Sequence, residues 1–153
     1  MSLMTNTFDI VPYERVGCIN FGDTRSQVLD KLGAPDKSLI RNRGQLMPRD
    51  AYYTLGIFIS YSQKDGLVDL VESFEPAEPM LQGINLMNPN YKKTISILRC
   101  AGYNIEDQRK TSTCGYESYD IGIGFYILEK LETVYFFNKG YFDEYNAKNG
   151  PQK

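Results

Sequence analysis

Histidine is absent from the 153 residues, which limits what chemistry the remaining side chains can do. Ser-His-Asp and Cys-His nucleophile activation, imidazole acid–base steps and His-ligated zinc are all excluded. Carboxylate pairs such as Asp69 and Glu72 carry the right groups for glycoside hydrolysis. That reaction needs both carboxyls converging in one cleft at a set separation, which spacing along a chain does not establish. Cys114, in the polar run Thr111–Gly115, has only Lys110 nearby as a cation and reads as unreactive. Cys18 and Cys100 fall in apolar surroundings and read as small core residues. Gly122-Ile123-Gly124 lies inside an alternating apolar run rather than at a strand-to-helix turn, so it is no dinucleotide fingerprint. No catalytic residue, metal ligand set or cofactor is expected, and the chain reads as a non-enzyme.

The elements that would position any site are written twice. Tyr53–Tyr61 alternates strictly, with Tyr53, Leu55, Ile57, Ile59 and Tyr61 on one side. Tyr119–Ile127 repeats the pattern 66 residues later, with Tyr119, Ile121, Ile123, Phe125 and Ile127. Period-two apolarity of this length predicts a half-buried strand over each whole run. A helix is expected over Thr24–Leu32, opened by the capping box Thr24/Gln27 and stopped by Gly33 and Pro35. A second is expected from an Asn88 cap and Pro89 to Ala101, with Tyr91, Ile95 and Leu98 inward and Gly102 as the stop. Gln63–Gly66 and Glu129-Lys130 are hairpin turns into return strands Leu67–Phe74 and Leu131–Phe137. Phe8–Val11 is a short apolar patch broken by Pro12, Val16–Gly22 a short extended lead-in and Leu39-Ile40 a candidate short strand, and Glu75–Pro79 reads as the seam between halves. The fold class is therefore α+β: an internal duplication of an α-β-β(-β) module, with two helices on one face of a mostly antiparallel sheet. Residues 1–153 form a single domain, with modules over 8–74 and 80–138 and a tail over 139–153 that is partly disordered, chiefly from Asn146.

Bulk properties agree with a soluble globular chain: 42% hydrophobic, 24% charged, 12 Tyr and 8 Phe. A net charge of −2 argues against nucleic acid and against an anionic membrane surface as partners. No apolar run is long enough to span a bilayer. Met1-Ser2-Leu3 ahead of Met4 reads as an addition, with the natural start at Met4. Three cysteines and no apparent export segment point to the cytoplasm.

Ile19–Pro35, in which Gly22, Thr24, Val28, Leu32-Gly33 and Pro35 punctuate the helix opening, is similar to that segment in the small outer-membrane lipoproteins of the barrel-assembly machinery. The tandem of helix-plus-sheet modules resembles the β-lactamase inhibitor proteins, in which two such modules form one curved sheet that clasps an enzyme. The likeness implies an architecture; no lipobox is present and three cysteines do not match the inhibitors' disulfides, so no contact residue is carried over. The make-up also resembles small cytosolic immunity proteins that neutralise bacterial toxins.

The candidate partner-binding residues lie on the outward side of the two runs: Thr54, Gly56, Phe58 and Ser60, then Asp120, Gly122, Gly124 and Tyr126. They form a small-residue floor with two projecting rings, suited to docking a protein. Strand glycines equally permit curvature or overlap by a neighbour's ring. Tyr52, Tyr116, Tyr141 and Tyr145 could extend the surface from loops, and Lys37, Arg41, Arg43 and Arg49 make a basic loop. The expected function is protein binding, as an inhibitor or immunity protein. The alternative is a small-molecule or lipid-binding module with a pocket between helices and sheet.

Overall fold

The computed structural model describes residues 3–40, 43–109 and 115–142, within which lie two helices and thirteen strands. The first half runs β1 (Thr7–Val11), β2 (Arg15–Val16), β3 (Ile19–Asn20), α1 (Arg25–Leu32), β4 (Lys37–Leu39), β5 (Arg49–Tyr52), β6 (Ile57–Tyr61) and β7 (Val68–Ser73). The second runs β8 (Glu78–Leu81), β9 (Ile84–Asn85), α2 (Tyr91–Cys100), β10 (Glu106–Asp107), β11 (Gly115–Ser118), β12 (Ile123–Ile127) and β13 (Leu131–Phe137). The class is α+β, with two helices among the described residues and two mostly antiparallel sheets.

The larger sheet has eight strands in the order β10-β11-β12-β13-β7-β6-β5-β4, every pairing antiparallel. The sequence suggests one sheet; the structure has two. The short segments form a separate five-stranded sheet, β3-β2-β1-β8-β9, whose central pair β1–β8 is parallel. The Glu75–Pro79 seam is correspondingly built in rather than loose. Glu78 and Pro79 belong to β8, the Glu78 amide donates to the Asn6 carbonyl at 2.7 Å, and Ala77 is buried.

Local signals account for the helices. Thr24 caps α1, accepting from the Gln27 amide, while the Gln27 side chain returns a bond to the Thr24 amide. Val28 and Leu32 enter the core, and Lys31 ties the helix down through Asp23 at 2.6 Å and the Cys18 carbonyl at 2.9 Å. The cap of α2 is Asn90, two residues beyond the expected position, because Asn88 closes a turn by accepting from the Asn90 amide at 2.9 Å. Thr94, Ile95 and Leu98 are its buried face, with Tyr91 half-buried at the core edge. The helix ends as expected, with Gly102 in the left-handed region at φ 99°. Cys100 is exposed and Cys18 half-buried, correcting the reading of both as core: Cys100 sits on the solvent side of the last helical turn.

The core joins helices and sheet in one cluster: Val28, Leu32, Ile95 and Leu98 with Ile57, Ile59, Val71, Ile123, Phe125, Val134 and Phe136. Its one fully sequestered charge is Asp50 among the described residues, on β5. Arg25 at the start of α1 grips that carboxylate in a bidentate pair, Nε at 2.8 Å and Nη2 at 3.1 Å. Ser38 donates to it from β4 at 2.7 Å and the Tyr61 hydroxyl from β6 at 3.2 Å. Burial and the Asp50 charge raise the Tyr61 hydroxyl, which stays protonated and keeps its role as donor. A carboxylate this well satisfied is tolerable inside, whereas removing it strands a guanidinium against apolar strands. Asp50→Ala should therefore lower stability by about 3 kcal/mol in urea titration; a loss below about 0.5 kcal/mol would contradict this account of the helix–sheet junction.

Candidate functional site

Strand register places one residue per strand in a single row across the large sheet: Lys37, Ala51, Phe58, Glu72, Tyr135, Gly124, Glu117 and Glu106. All eight point away from the side that carries Asp50, Ile59, Val71, Phe136 and Ile123, and they define the outward face.

Of the eight residues anticipated as partner-binding, Phe58, Ser60, Gly124 and Tyr126 lie on this face. Phe58 and Ser60 are half-buried and Tyr126 is 39% exposed. The other four do not lie in strands. Strands β6 and β12 begin at Ile57 and Ile123, so Tyr53–Gly56 and Tyr119–Gly122 are tight turns, a correction to the expected nine-residue strands. Leu55 and Ile121 still drop into the core, which is why the apolar alternation continues through the turns. Gly56 and Gly122 each adopt positive φ, 77° and 62°, and each carbonyl accepts from a neighbouring strand end, Phe74 at 2.8 Å and Phe137 at 3.0 Å. Thr54 and Asp120 are exposed at the turn tips. The Thr54 carbonyl accepts from Asn6 at 2.6 Å, and the Asp120 carboxylate from the Asn104 amide at 2.8 Å.

Gly124 serves its neighbour's ring. A Cβ there would run into the Tyr135 side chain, so the phenol lies flat across the glycine backbone. The Tyr135 hydroxyl reaches Glu117 at 2.7 Å. Burial raises the Glu117 carboxyl above the ordinary carboxylate range, while hydrogen bonds from Tyr135 and Tyr119 pull it partly back. Tyr119 itself is pushed up to about 12, chiefly by burial and then by the Glu117 charge. In the first half the large and small residues are exchanged. Phe58 occupies the middle strand, Arg49 stacks over its ring at 4.4 Å, and Arg49 also pairs with Glu72 at 3.3 Å. Tyr53 and Phe74 complete that cluster.

The face is not uniformly open. Phe137, on the same side as Tyr135, is only 2% exposed. Tyr13, Tyr119, Tyr141 and Phe142 surround its ring at centroid distances of 5.0–6.4 Å. The tail is therefore packed as far as Phe142, whereas Asn146–Lys153, like Cys114 and Tyr145, lies outside the described residues. Tyr52 and Tyr116, expected in loops, are buried strand residues of β5 and β11. Glu117 and Tyr135 are not among the anticipated residues; Arg49, expected in a basic loop, and Glu72, expected only as a carboxylate paired with Asp69, are strand residues that join them on this face. The alternation of Thr133, Tyr135 and Phe137 along β13 was the signal for Tyr135.

Asp69 and Glu72 do not converge. Glu72 is outward with Arg49, while Asp69 is the residue skipped at the register shift where Ser60 faces Leu70 and Tyr61 faces Val68. Among the described residues no three His, Cys, Asp or Glu side chains gather as a metal site would require. Open clefts are present among the described residues. One of about 630 Å³ follows the seam past Phe74, Pro76, Met87 and Leu131, and one of about 400 Å³ lies between α2 and β11. No helix is long and apolar enough to cross a membrane.

Burial, reinforced by Asp65, lifts Asp69 from 3.8 to about 6. Between these values the folded protein retains a proton that the unfolded chain has released, so stability falls as pH rises from about 4 to about 6. Asp69→Asn should stabilise the protein at pH 7 by about 1 kcal/mol, a two-unit shift discounted for partial exposure. Near pH 3.5 it should be neutral; equal effects in urea melts at both pH values would refute the assignment. Removing one donor by Tyr135→Phe should raise the Glu117 carboxyl further, read directly in a carboxyl NMR titration.

Comparison with protein-family models, curated proteins and solved structures finds no significant match to this chain.

Proposed function

We propose that this chain is a non-catalytic protein-binding module of the cytoplasm, an inhibitor or immunity protein that docks its partner on the outward face of the eight-stranded sheet. The observation that carries this reading is the row from Lys37 to Glu106, continued at its flank by Tyr126: three partly exposed rings, Phe58, Tyr135 and Tyr126, with Lys37, Glu72 and Glu106 on one laterally continuous face. Aromatic side chains of this kind anchor interfaces because they bury much area with few rotors.

The reading includes a duplicated origin, with both helices covering the inward side. Strands β6 and β12 share bounds at an offset of 66, as do the starts of β5 and β11 and of α1 and α2. The register breaks at Ser60/Tyr61 and Tyr126/Ile127 share that offset, and so do the positive-φ turn glycines Gly56 and Gly122. Helix α1 contacts the inward residues Asp50 and Tyr52, the latter through its hydroxyl on the Gly33 carbonyl at 2.9 Å. In α2, Tyr91 stacks near inward Tyr116 at 6.3 Å. A face left free by both helices is the surface a partner would use. The cleft between α2 and β11 favours small-molecule binding as a second activity; it is open rather than enclosed, which makes it secondary to the sheet.

The test is capture of a partner from the native cell by the tagged chain. Phe58→Ala and Tyr126→Ala should each reduce capture at least about tenfold while leaving the melting temperature within a few degrees of wild type. A partner retained equally by both variants, or no partner at all, would remove the sheet face from consideration.

A further inference from the structure

The two halves treat one pair of positions in opposite ways. Arg25 opens α1 and Asp50 is the second residue of β5; Tyr91 opens α2 and Tyr116 is the second residue of β11, each 66 residues further on. In the first half the place between helix and strand is filled by the Arg25–Asp50 pair with Ser38 and Tyr61. In the second half two aromatic rings stand there instead, and the carboxylate is gone. Beside them opens the cleft of about 400 Å³, floored by Tyr116 and Ile95 and walled by Lys92, Ser96 and Arg99.

Lys92, Ser96 and Arg99 recur at helical spacing, so their polar ends share one side of α2. Arg99 lies over the Tyr116 ring at 5.8 Å and uses Nη2 on the Ile105 carbonyl at 2.7 Å, leaving the rest of its fork unspent. Among the described residues neither Lys92 nor Arg99 forms an ion pair. Asp107, the carboxylate opposite Tyr116 on β10, is engaged by Arg109 at 2.6 Å. The cleft thus presents two uncompensated cations and a hydroxyl above an aromatic floor.

We infer that this cleft binds a phosphate monoester with an aromatic or heterocyclic body. A phosphate dianion matches two positive charges, where a monocarboxylate would leave one unanswered, and its oxygens accept from guanidinium, ammonium and hydroxyl together. The flat body would lie along the Arg99 guanidinium at the cleft wall, since Tyr116 and Ile95 at its base are buried and the Tyr116 ring is already covered by Tyr91, Arg99 and, at 5.0 Å, Arg109. A volume of about 400 Å³ is within the range of small-ligand sites. This inference is independent of the docking face, which lies on the other side of the sheet.

The experiment titrates the full-length chain with phenyl phosphate, inorganic phosphate and phenol, followed by amide NMR and calorimetry. Phenyl phosphate should shift the Ser96 and Tyr116 amides saturably, with inorganic phosphate at least about tenfold weaker and phenol inert. Affinity should fall below about pH 6, as the phosphate dianion takes up one proton and becomes a monoanion. Lys92→Gln and Arg99→Gln should each weaken binding about tenfold or more, while Lys93→Gln, exposed on α2 but outside the cleft lining, should not. Arg99 also holds the Ile105 carbonyl, so the exposed Lys92 provides the variant that keeps the fold intact, checked by its melting temperature. Absence of saturable shifts, binding unchanged in Lys92→Gln, or equal affinity for inorganic phosphate would each overturn the assignment.

Discussion

Strand β7 hydrogen-bonds β6 on one side and β13 on the other, and the second ladder makes one sheet of two four-stranded meanders. It pairs Ser73 with Val134, Glu72 with Tyr135, Val71 with Phe136 and Leu70 with Phe137. The buried Ser73 hydroxyl adds a bond to the Val134 carbonyl at 2.7 Å, satisfying a group that could not otherwise sit there. A slip of one residue would turn Val71, Val134 and Phe136 to solvent and carry Glu72 and Tyr135 inward, so the apolar set fixes the register. Every cross-sheet relation on the outward face inherits that constraint. The parallel β1–β8 pair, bridged also by Thr7 and Glu78 at 2.9 Å, is a second tie between halves far apart in sequence.

The two four-stranded halves of the large sheet place their large residues differently. Across the outward row Ala51–Phe58–Glu72 faces Glu117–Gly124–Tyr135: the large ring moves from the middle strand to the last, and the small residue beneath it moves accordingly. The same trade occurs at the helix junctions, where a bidentate ion pair in one half answers two aromatic rings in the other. Both solutions fill space. They differ in what they demand, since the ion pair needs every hydrogen bond to offset desolvation whereas stacked rings need only contact. In the first half Arg25 is therefore answered within the fold by Asp50, whereas among the described residues Lys92 and Arg99 of α2 form no ion pair.

Much of this was legible, and the misses have physical causes. The α1 capping box, the Gly66 and Glu129-Lys130 hairpins and the return strands rest on local rules that hold within a few residues. The starts of β6 and β12 were placed four residues too early because Leu55 and Ile121 are buried from within turns, and burial alone imitates strand alternation. Strand β8 was hidden by its proline, which sits at a parallel pairing that local propensity does not register. The cover over Phe137 was invisible for another reason: it is assembled from Tyr13, Tyr119, Tyr141 and Phe142, residues brought together only by the fold.

That cover also divides the outward face into unlike ends. Around Phe58 the charges cancel locally, because Glu72 takes Arg49 and Arg49 lies on the ring. Toward β10 they do not: Glu106 and Glu117 stand directly opposite on adjacent strands, an arrangement that repels. Glu117 lowers that repulsion by withdrawing under Tyr135 and Tyr119, at the expense of holding a carboxyl in a poorly solvated place. A partner that met this face would gain apolar contact at the Phe58 end with little electrostatic consequence. At the Glu106 end, a cation would relieve a repulsion the isolated chain must carry. The paired charges around Phe58 and the opposed carboxylates at β10 thus lie on different strands, and the β7–β13 ladder holds them at a fixed separation.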